Sequence, residues 1–315
     1  MKKFIIGSLV IALVVALSLP VLAADSPKKQ VGVVFTSLNN PVFVFMKEKM
    51  EAKIKELGYE AVILDSQEKS EEELKNVENL ISKKVVAICV LPVNNVAVIN
   101  AVKKANDAGI PIVGWNRYAD LQGKAKFVTQ VVTDNKTGAV AAGKYAVELL
   151  KDVKDPKVVL LRGLTGIDAD VDRSAGFKEG IKGTPLEKAI IAEQAADFER
   201  LKGNSVMENI IQAHKKIDLV YAMNDEMALG AYQAIKAANL KNVKIIGYDG
   251  AEGYVKEIEK GNVTATVAQK FALLATSAAE YAIKAAEGKL DKVQDVIYIE
   301  TEMVTPENAK GYVFK

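Results

Sequence analysis

Short apolar runs in this chain stop repeatedly at a hydrogen-bonding residue: VGVVFTSLNN from Val31, PIVGWNR from Pro111, LVYAMND from Leu219, KIIGYD from Lys244 and TATVAQ from Thr264. Stretches of helical periodicity separate them, so the chain repeats strand, polar tip, helix. Val/Ile-rich runs bounded by Gly, Pro and Asn and alternating with helices are the mark of βαβ units and parallel sheets. In an open parallel sheet the strand tips share one edge, and ligands bind in the crevice beyond the carboxyl ends. Asn40, Asn116, Arg117, Asn224, Asp249 and Gln269 stand at such tips and are expected to meet in one cleft. Amides, a guanidinium and a carboxylate suit a neutral polyhydroxy ligand. They do not suit a phosphate, a metal or a reacting carbonyl.

The pattern predicts strands over Val31–Phe35, Ala61–Asp65, Val85–Val90, Pro111–Trp115 and Lys126–Val132, with helices over Pro41–Leu57, Glu71–Ser82 and Val93–Ala108. The same grammar restarts with a helix over Asn135–Leu150 and ends with strand-like pieces at Val296–Ile299 and Glu302–Thr305. Ser70 and Glu73 have the spacing of a capping box for the second helix, whose Leu74, Val77, Leu80 and Ile81 define a buried face. No low-complexity linker divides the halves. The expectation is an α/β clamshell of two lobes with the chain crossing between them.

Met1–Ala23 has the anatomy of a secretory signal: Lys2 and Lys3, an apolar core from Phe4 to Leu17, and Val21-Leu22-Ala23 as a cleavage site. Ser18 and Pro20 break the apolar stretch short of the about 20 residues that a spanning helix needs. Without Lys2 and Lys3, the 42 basic residues fall to 40 and match the 40 acidic ones. A balanced charge gives no electrostatic reason to expect nucleic acid as a partner. Cys89 is the only cysteine, set in the apolar run VVAICVLPV, so no intrachain disulfide forms and a buried thiol is expected. The single histidine, His214, rules out His-clustered metal sites and disfavours a Ser-His-Asp triad. Phosphate-binding Gly-rich motifs and a nucleophile elbow are missing from the sequence. No cofactor or metal is expected.

Several tips have plain architectural readings. Asn40-Pro41 matches an N-cap followed by Pro at the first helical position, and Asp249-Gly250 matches a turn. Asn224, by contrast, precedes Asp225, itself a competent cap, and Gln269 is a poor cap. Arg173 follows Asp168, Asp170 and Asp172, which offer it ion pairs, yet its planar fork equally suits vicinal hydroxyls. Phe43 and Phe198 sit near helix starts, where a ring could face the apolar side of a sugar. Trp115 reads as core.

TSLNNP, GYEAVILDSQ, DFERLKGN, MNDEMALGA, GYDG and TVAQ, in this order, resemble the ribose-binding branch of the periplasmic sugar-binding proteins, the solute receptors of ABC importers. The likeness runs from about Val31 to Thr305. It implies two Rossmann-like lobes, each a parallel sheet flanked by helices, joined by a three-crossing hinge near Thr133-Asp134, Gln269-Lys270 and Glu300-Thr301. The lobes would be residues 24–133 plus 270–300 and residues 134–269 plus 301–315. By the same matching Asn40, Phe43, Asn116, Arg117, Arg173, Phe198, Asn224 and Asp249 fall on sugar contacts, with Gln269 at a hinge. The implied function is capture of a monosaccharide in the periplasm or extracytoplasmic space and delivery to an ABC transporter permease. A chemoreceptor is a further partner on this reading, and the protein is expected to be a monomer. The ribose receptors carry Asp-Arg where this chain has Asn116-Arg117, and a second aromatic where it has Val42. Ribose, xylose, another pentose, a hexose, an inositol or a furanosyl signal therefore stay open as cargo. Competing readings are a secreted carbohydrate-acting enzyme and the effector domain of a transcription regulator, which would need a helix-turn-helix where residues 1–30 show a signal.

Overall fold

The computed structural model describes residues 29–314, so the expected signal, residues 1–23, lies outside the described residues. Two six-stranded sheets carry the fold, one in each lobe. The first lobe begins with β1 (Gln30–Phe35), α1 (Pro41–Glu56), β2 (Glu60–Asp65), α2 (Ser70–Ser82), β3 (Ala87–Val90), α3 (Val98–Asp107), β4 (Ile112–Asn116) and β5 (Gln130–Thr133). The second contains α4 (Asn135–Leu149), β6 (Val158–Arg162), α5 (Asp168–Ile181), β7 (Ile190–Ala195), α6 (Arg200–Ala213), β8 (Leu219–Ala222), α7 (Asp225–Ala237), β9 (Lys244–Asp249), α8 (Glu252–Glu259) and β10 (Ala265–Ala268). The chain then returns through α9 (Phe271–Ala286) and β11 (Val296–Ile299) to the first sheet, and places β12 (Glu302–Val304) in the second.

The sheet orders are β2-β1-β3-β4-β5-β11 and β7-β6-β8-β9-β10-β12. Each is the doubly wound order 2-1-3-4-5 with one strand added at the edge. Neighbouring strands are parallel in every pair but one, β10 with β12. That exception departs from the all-parallel expectation and has a simple cause. β11 runs toward the lobe boundary beside β5, and Glu300-Thr301 carries the chain straight across. A strand entering the second sheet at its carboxyl edge must run backwards along β10.

The strands are apolar along their whole length because both sheet faces are covered. In the first lobe Val31, Val33, Phe35, Cys89 and Trp115 pack against Met46, Met50 and Ile54 of α1 and Leu274 and Ala278 of α9. Val34, Ile88 and Val90 face the other way, onto Val77 and Leu80 of α2 and Val98 and Val102 of α3. Cys89 is fully buried and burial pushes its thiol up to about 12, so it is an inert part of this core. Trp115 is likewise buried, edge-on to Phe35 at 5.1 Å.

The capping box is not formed. Ser70 is the first residue of α2, Lys69 precedes it without a side-chain cap, and Glu73 points inward instead. Its Oε2 accepts from Val93 N at 2.7 Å, tying α2 to the loop after β3. Satisfying a buried amide in that loop outweighs capping an end that water reaches.

Candidate functional site

A cleft of about 640 Å³ lies at the carboxyl edges of both sheets. The four expected first-lobe residues line it, Asn40 and Phe43 at the start of α1, Asn116 at the end of β4, and Arg117 just beyond. So do the five others: Arg173 on α5, Phe198 before α6, Asn224 before α7, Asp249 at the end of β9, and Gln269 after β10. Trp115, assigned to the core, does not line it. Cleft-lining residues that sequence reasoning missed include Ser37, Glu68, Leu164, Arg200, Glu226 and Phe271. Ser37 lies inside the TSLNN run, and Arg200 follows the DFE of DFERLKGN, so proximity to those motifs is the only signal they carry.

Arg173 is the centre of the second-lobe half. Its Nε donates to Asn135 Oδ1 at 2.9 Å and its Nη1 to the Met223 carbonyl at 2.6 Å. The guanidinium lies over Tyr248, 3.8 Å from the ring centroid, and Nη1 stands 3.5 Å from Asp249 Oδ1. Two of the three aspartates that precede Arg173 in sequence bind elsewhere: Asp170 pairs with Arg162 at 2.5 Å, and Asp168 accepts from Tyr118 N of the first lobe at 2.9 Å. Asp249 Oδ1 also accepts from Gln269 Nε2 at 2.7 Å, and Gln269 Oε1 accepts from Thr133 Oγ1 at 2.5 Å. One line of an ion pair and two hydrogen bonds thus runs from the cleft-lining Arg173 of α5 to two of the connections between the lobes. Tyr248 continues it, donating from its hydroxyl to the Asn135 carbonyl at 3.3 Å.

Asn224 departs from the sequence expectation in one detail. It is the N-cap of α7, accepting from Met227 N at 2.8 Å, while its Nδ2 donates to the Phe198 carbonyl at 3.1 Å. Asp225 is instead buried below the cleft, accepting from Ala251 N at 2.7 Å and Thr266 Oγ1 at 2.8 Å. The cap reading of Asn40 also holds, with Val42 N at 2.9 Å, and both caps line the cleft. Architecture and cleft placement are therefore not alternatives at these two positions. Phe198 covers Gly163 so closely that a Cβ there would strike its ring.

Arg117 is buried, and its Nη1 donates to Thr36 Oγ1 at 3.3 Å and to the Pro92 carbonyl at 3.2 Å. Burial pulls its guanidinium down from the usual value, and Glu68, Asp168 and Glu73 oppose that pull. Asn116 at φ 64°, Phe198 at φ 63° and Asp249 at φ 126° all occupy backbone conformations that favour glycine. Such strain gathers where the surrounding fold must present a side chain in one direction. Burial also raises the Asp249 carboxyl to about 6, against the lowering effects of Arg173 and Gln269. Among the described residues no group of three or more His, Cys, Asp or Glu is arranged to hold a metal ion.

The sequence pattern of the periplasmic binding protein domain matches residues 31–290. The chain belongs to the periplasmic binding protein domain family. Within it, the chain is 36% identical over 290 residues to the ribose import binding protein RbsB of Escherichia coli (strain K12), covering 92% of this chain and 95% of that protein. An ABC transporter solute binding protein from Bacillus halodurans C-125 with bound myo-inositol superposes with a TM-score of 0.81 at 30% identity, covering 92% and 98% of the two chains. Another from Actinobacillus succinogenes 130z with bound D-allose gives a TM-score of 0.83 at 28% identity, covering 90% and 100%. These periplasmic binding proteins share the two-lobed α/β architecture described above, and the family resemblance read from the motifs is correct.

Proposed function

We propose that this protein is an extracytoplasmic receptor that traps one monosaccharide between its lobes and delivers it to an ABC transporter permease. The observation that carries the reading is the line Arg173–Asp249–Gln269–Thr133, which joins donors and acceptors in the cleft to the chain connections. Ribose, D-allose and myo-inositol in the names of its relatives support a small neutral polyol as ligand. The proposed contacts are Asn40, Phe43, Asn116, Arg117, Arg173, Phe198, Asn224 and Asp249, with Gln269 at the hinge. The lobes are taken to divide near Thr133-Asp134, Gln269-Lys270 and Glu300-Thr301.

Closure supplies both selectivity and signal. When the lobes meet around a sugar, each buried hydroxyl needs a partner, and an unmatched group costs about 1–3 kcal/mol. A misplaced hydroxyl is thereby rejected by a factor of about 5 to about 150. The closed shape distinguishes loaded from free protein, so a permease can read shape instead of sugar. The protein is taken to be no enzyme, to be exported by a cleaved signal at residues 1–23, to act as a monomer and to serve a chemoreceptor only as a second partner. A thermal-shift screen against pentoses, hexoses and inositols tests the reading: one compound should raise the melting temperature in a saturable way without being turned over. A melting temperature unmoved by the whole panel, or turnover of a sugar by the purified protein, contradicts it.

A further inference from the structure

Five carboxylates line the cleft, and four of them are already engaged by neighbouring side chains. Asp197 and Glu199 bind Lys202 at 2.9 and 2.8 Å, Glu226 binds Arg200 through two contacts of 2.8 Å, and Asp249 binds Gln269 at 2.7 Å. All four belong to the second lobe. Glu68 is the fifth and the only one from the first lobe, and among the described residues its carboxylate makes no side-chain hydrogen bond or ion pair. The remaining polar first-lobe groups on the cleft, Ser37, Asn39, Asn40, Asn116 and Arg117, are neutral or cationic. That half of the cleft has no charged acceptor other than Glu68.

The backbone holds Glu68 in place. Gln67 and Glu68 form a left-handed corner at φ 51° and 60°, one residue beyond the end of β2. Glu68 N donates to the Thr36 carbonyl at 2.7 Å, and Thr36 Oγ1 is itself a partner of Arg117. Glu68 thus lines the same cleft as the buried Arg117 guanidinium, and no carboxylate, Glu68 included, stands within ion-pair distance of Arg117 among the described residues. Among the charges around Arg117, Glu68 exerts the largest effect.

Resting on the monosaccharide reading above, we propose that Glu68 is a specificity-determining residue, accepting a hydrogen bond from a ligand hydroxyl from the first lobe, opposite Asp249 in the second. The ligand class is a neutral polyol with hydroxyl donors on two opposite edges, clamped by one carboxylate from each lobe. Asp249 pairs with Arg173 in the second lobe, and Glu68 lines the cleft with Arg117 in the first, so each lobe offers an acceptor and a donor to ligand hydroxyls.

The test is a binding cycle by calorimetry. D-ribose, D-xylose, D-allose, D-galactose and myo-inositol are titrated into the wild type, and the tightest binder is carried forward with its monodeoxy analogues. Glu68→Ala should weaken the parent sugar at least tenfold, Glu68→Gln should weaken it less, and one deoxy analogue should bind wild type and Glu68→Ala equally. The side chain is exposed, so both variants should melt with the wild type. A parent sugar bound equally by wild type and Glu68→Ala, with binding lost in Asp249→Ala, overturns the role of Glu68 and leaves the receptor reading standing. That role also falls if Glu68→Ala weakens every deoxy analogue as much as the parent. Failure of the whole panel to bind the wild type removes both.

Discussion

Glu73 is a carboxyl sunk into the first lobe with Val93 N as its hydrogen-bond donor, and burial pushes it up to about 7 despite that donor and the nearby Arg117. In an unfolded chain a glutamate titrates near 4.3, so between about 4.3 and 7 the folded protein holds a proton that the unfolded chain does not. Stability must then fall as pH rises through that window. Asp249, raised to about 6, and Asp168, raised by burial, act in the same direction. The melting temperature is expected to be higher at pH 5 than at pH 8, and Glu73→Gln, which keeps an acceptor for Val93 N, should reduce the difference. A Glu73→Gln variant with an unaltered pH slope would contradict this account. Side-chain direction is also where the sequence was least legible. Ser70 and Glu73 have the spacing of a capping box, but only the loop after β3 explains why Glu73 turns inward. Asn224 and Asp225 are both competent caps, and the choice between them depends on Thr266 and Ala251, which are distant in sequence.

Helix α4 packs on α5 with almost no side-chain layer between them. A Cβ at Gly180 would strike the Val140 carbonyl, one at Gly176 the Lys136 carbonyl, and one at Gly143 would meet the Phe177 carbonyl at 2.5 Å. Backbone cannot step aside as a flexible side chain does, so Gly180→Val must push the helices apart. Overpacking of this kind costs about 1–3 kcal/mol or more. The expected result is a marked loss of thermal stability, read by circular dichroism, with weaker binding because α5 carries Arg173. Wild-type melting for Gly180→Val would show that the helices do not approach so closely. At this scale the sequence was highly legible, because strands buried on both faces leave continuous Val/Ile runs and the helices keep a clear apolar face. Its errors fell at boundaries: the expected helix over Val93–Ala108 begins at Val98, and the strand expected from Lys126 begins at Gln130. The antiparallel β12 had no local signal, since its direction follows from where the chain crosses between lobes.

At the scale of the molecule, the lobes touch through Asp168, whose Oδ2 accepts from Tyr118 N at 2.9 Å. Asn95 reinforces the contact when its amide is assigned by its neighbours, donating to the Tyr118 carbonyl at 3.0 Å and accepting from Asp168 N at 3.3 Å. A lost bond to a charged acceptor is worth about 1.5 kcal/mol, or about tenfold in affinity. Asp168→Ala should therefore weaken monosaccharide binding by about tenfold in calorimetry while the protein still folds. Equal affinity for variant and wild type would place this contact outside the closure. Convergence of the strand tips was legible because parallel sheets leave no other edge for them. Which sugar they select was not, because it depends on angles and on residues such as Glu68 that no motif marks. The receptor reading stands or falls on titration of the wild type, Arg173→Ala and Asp249→Ala with the best monosaccharide from the screen. It predicts saturable one-to-one binding to the wild type and no detectable heat with either folded variant. Undiminished affinity in both would show that the sugar sits elsewhere.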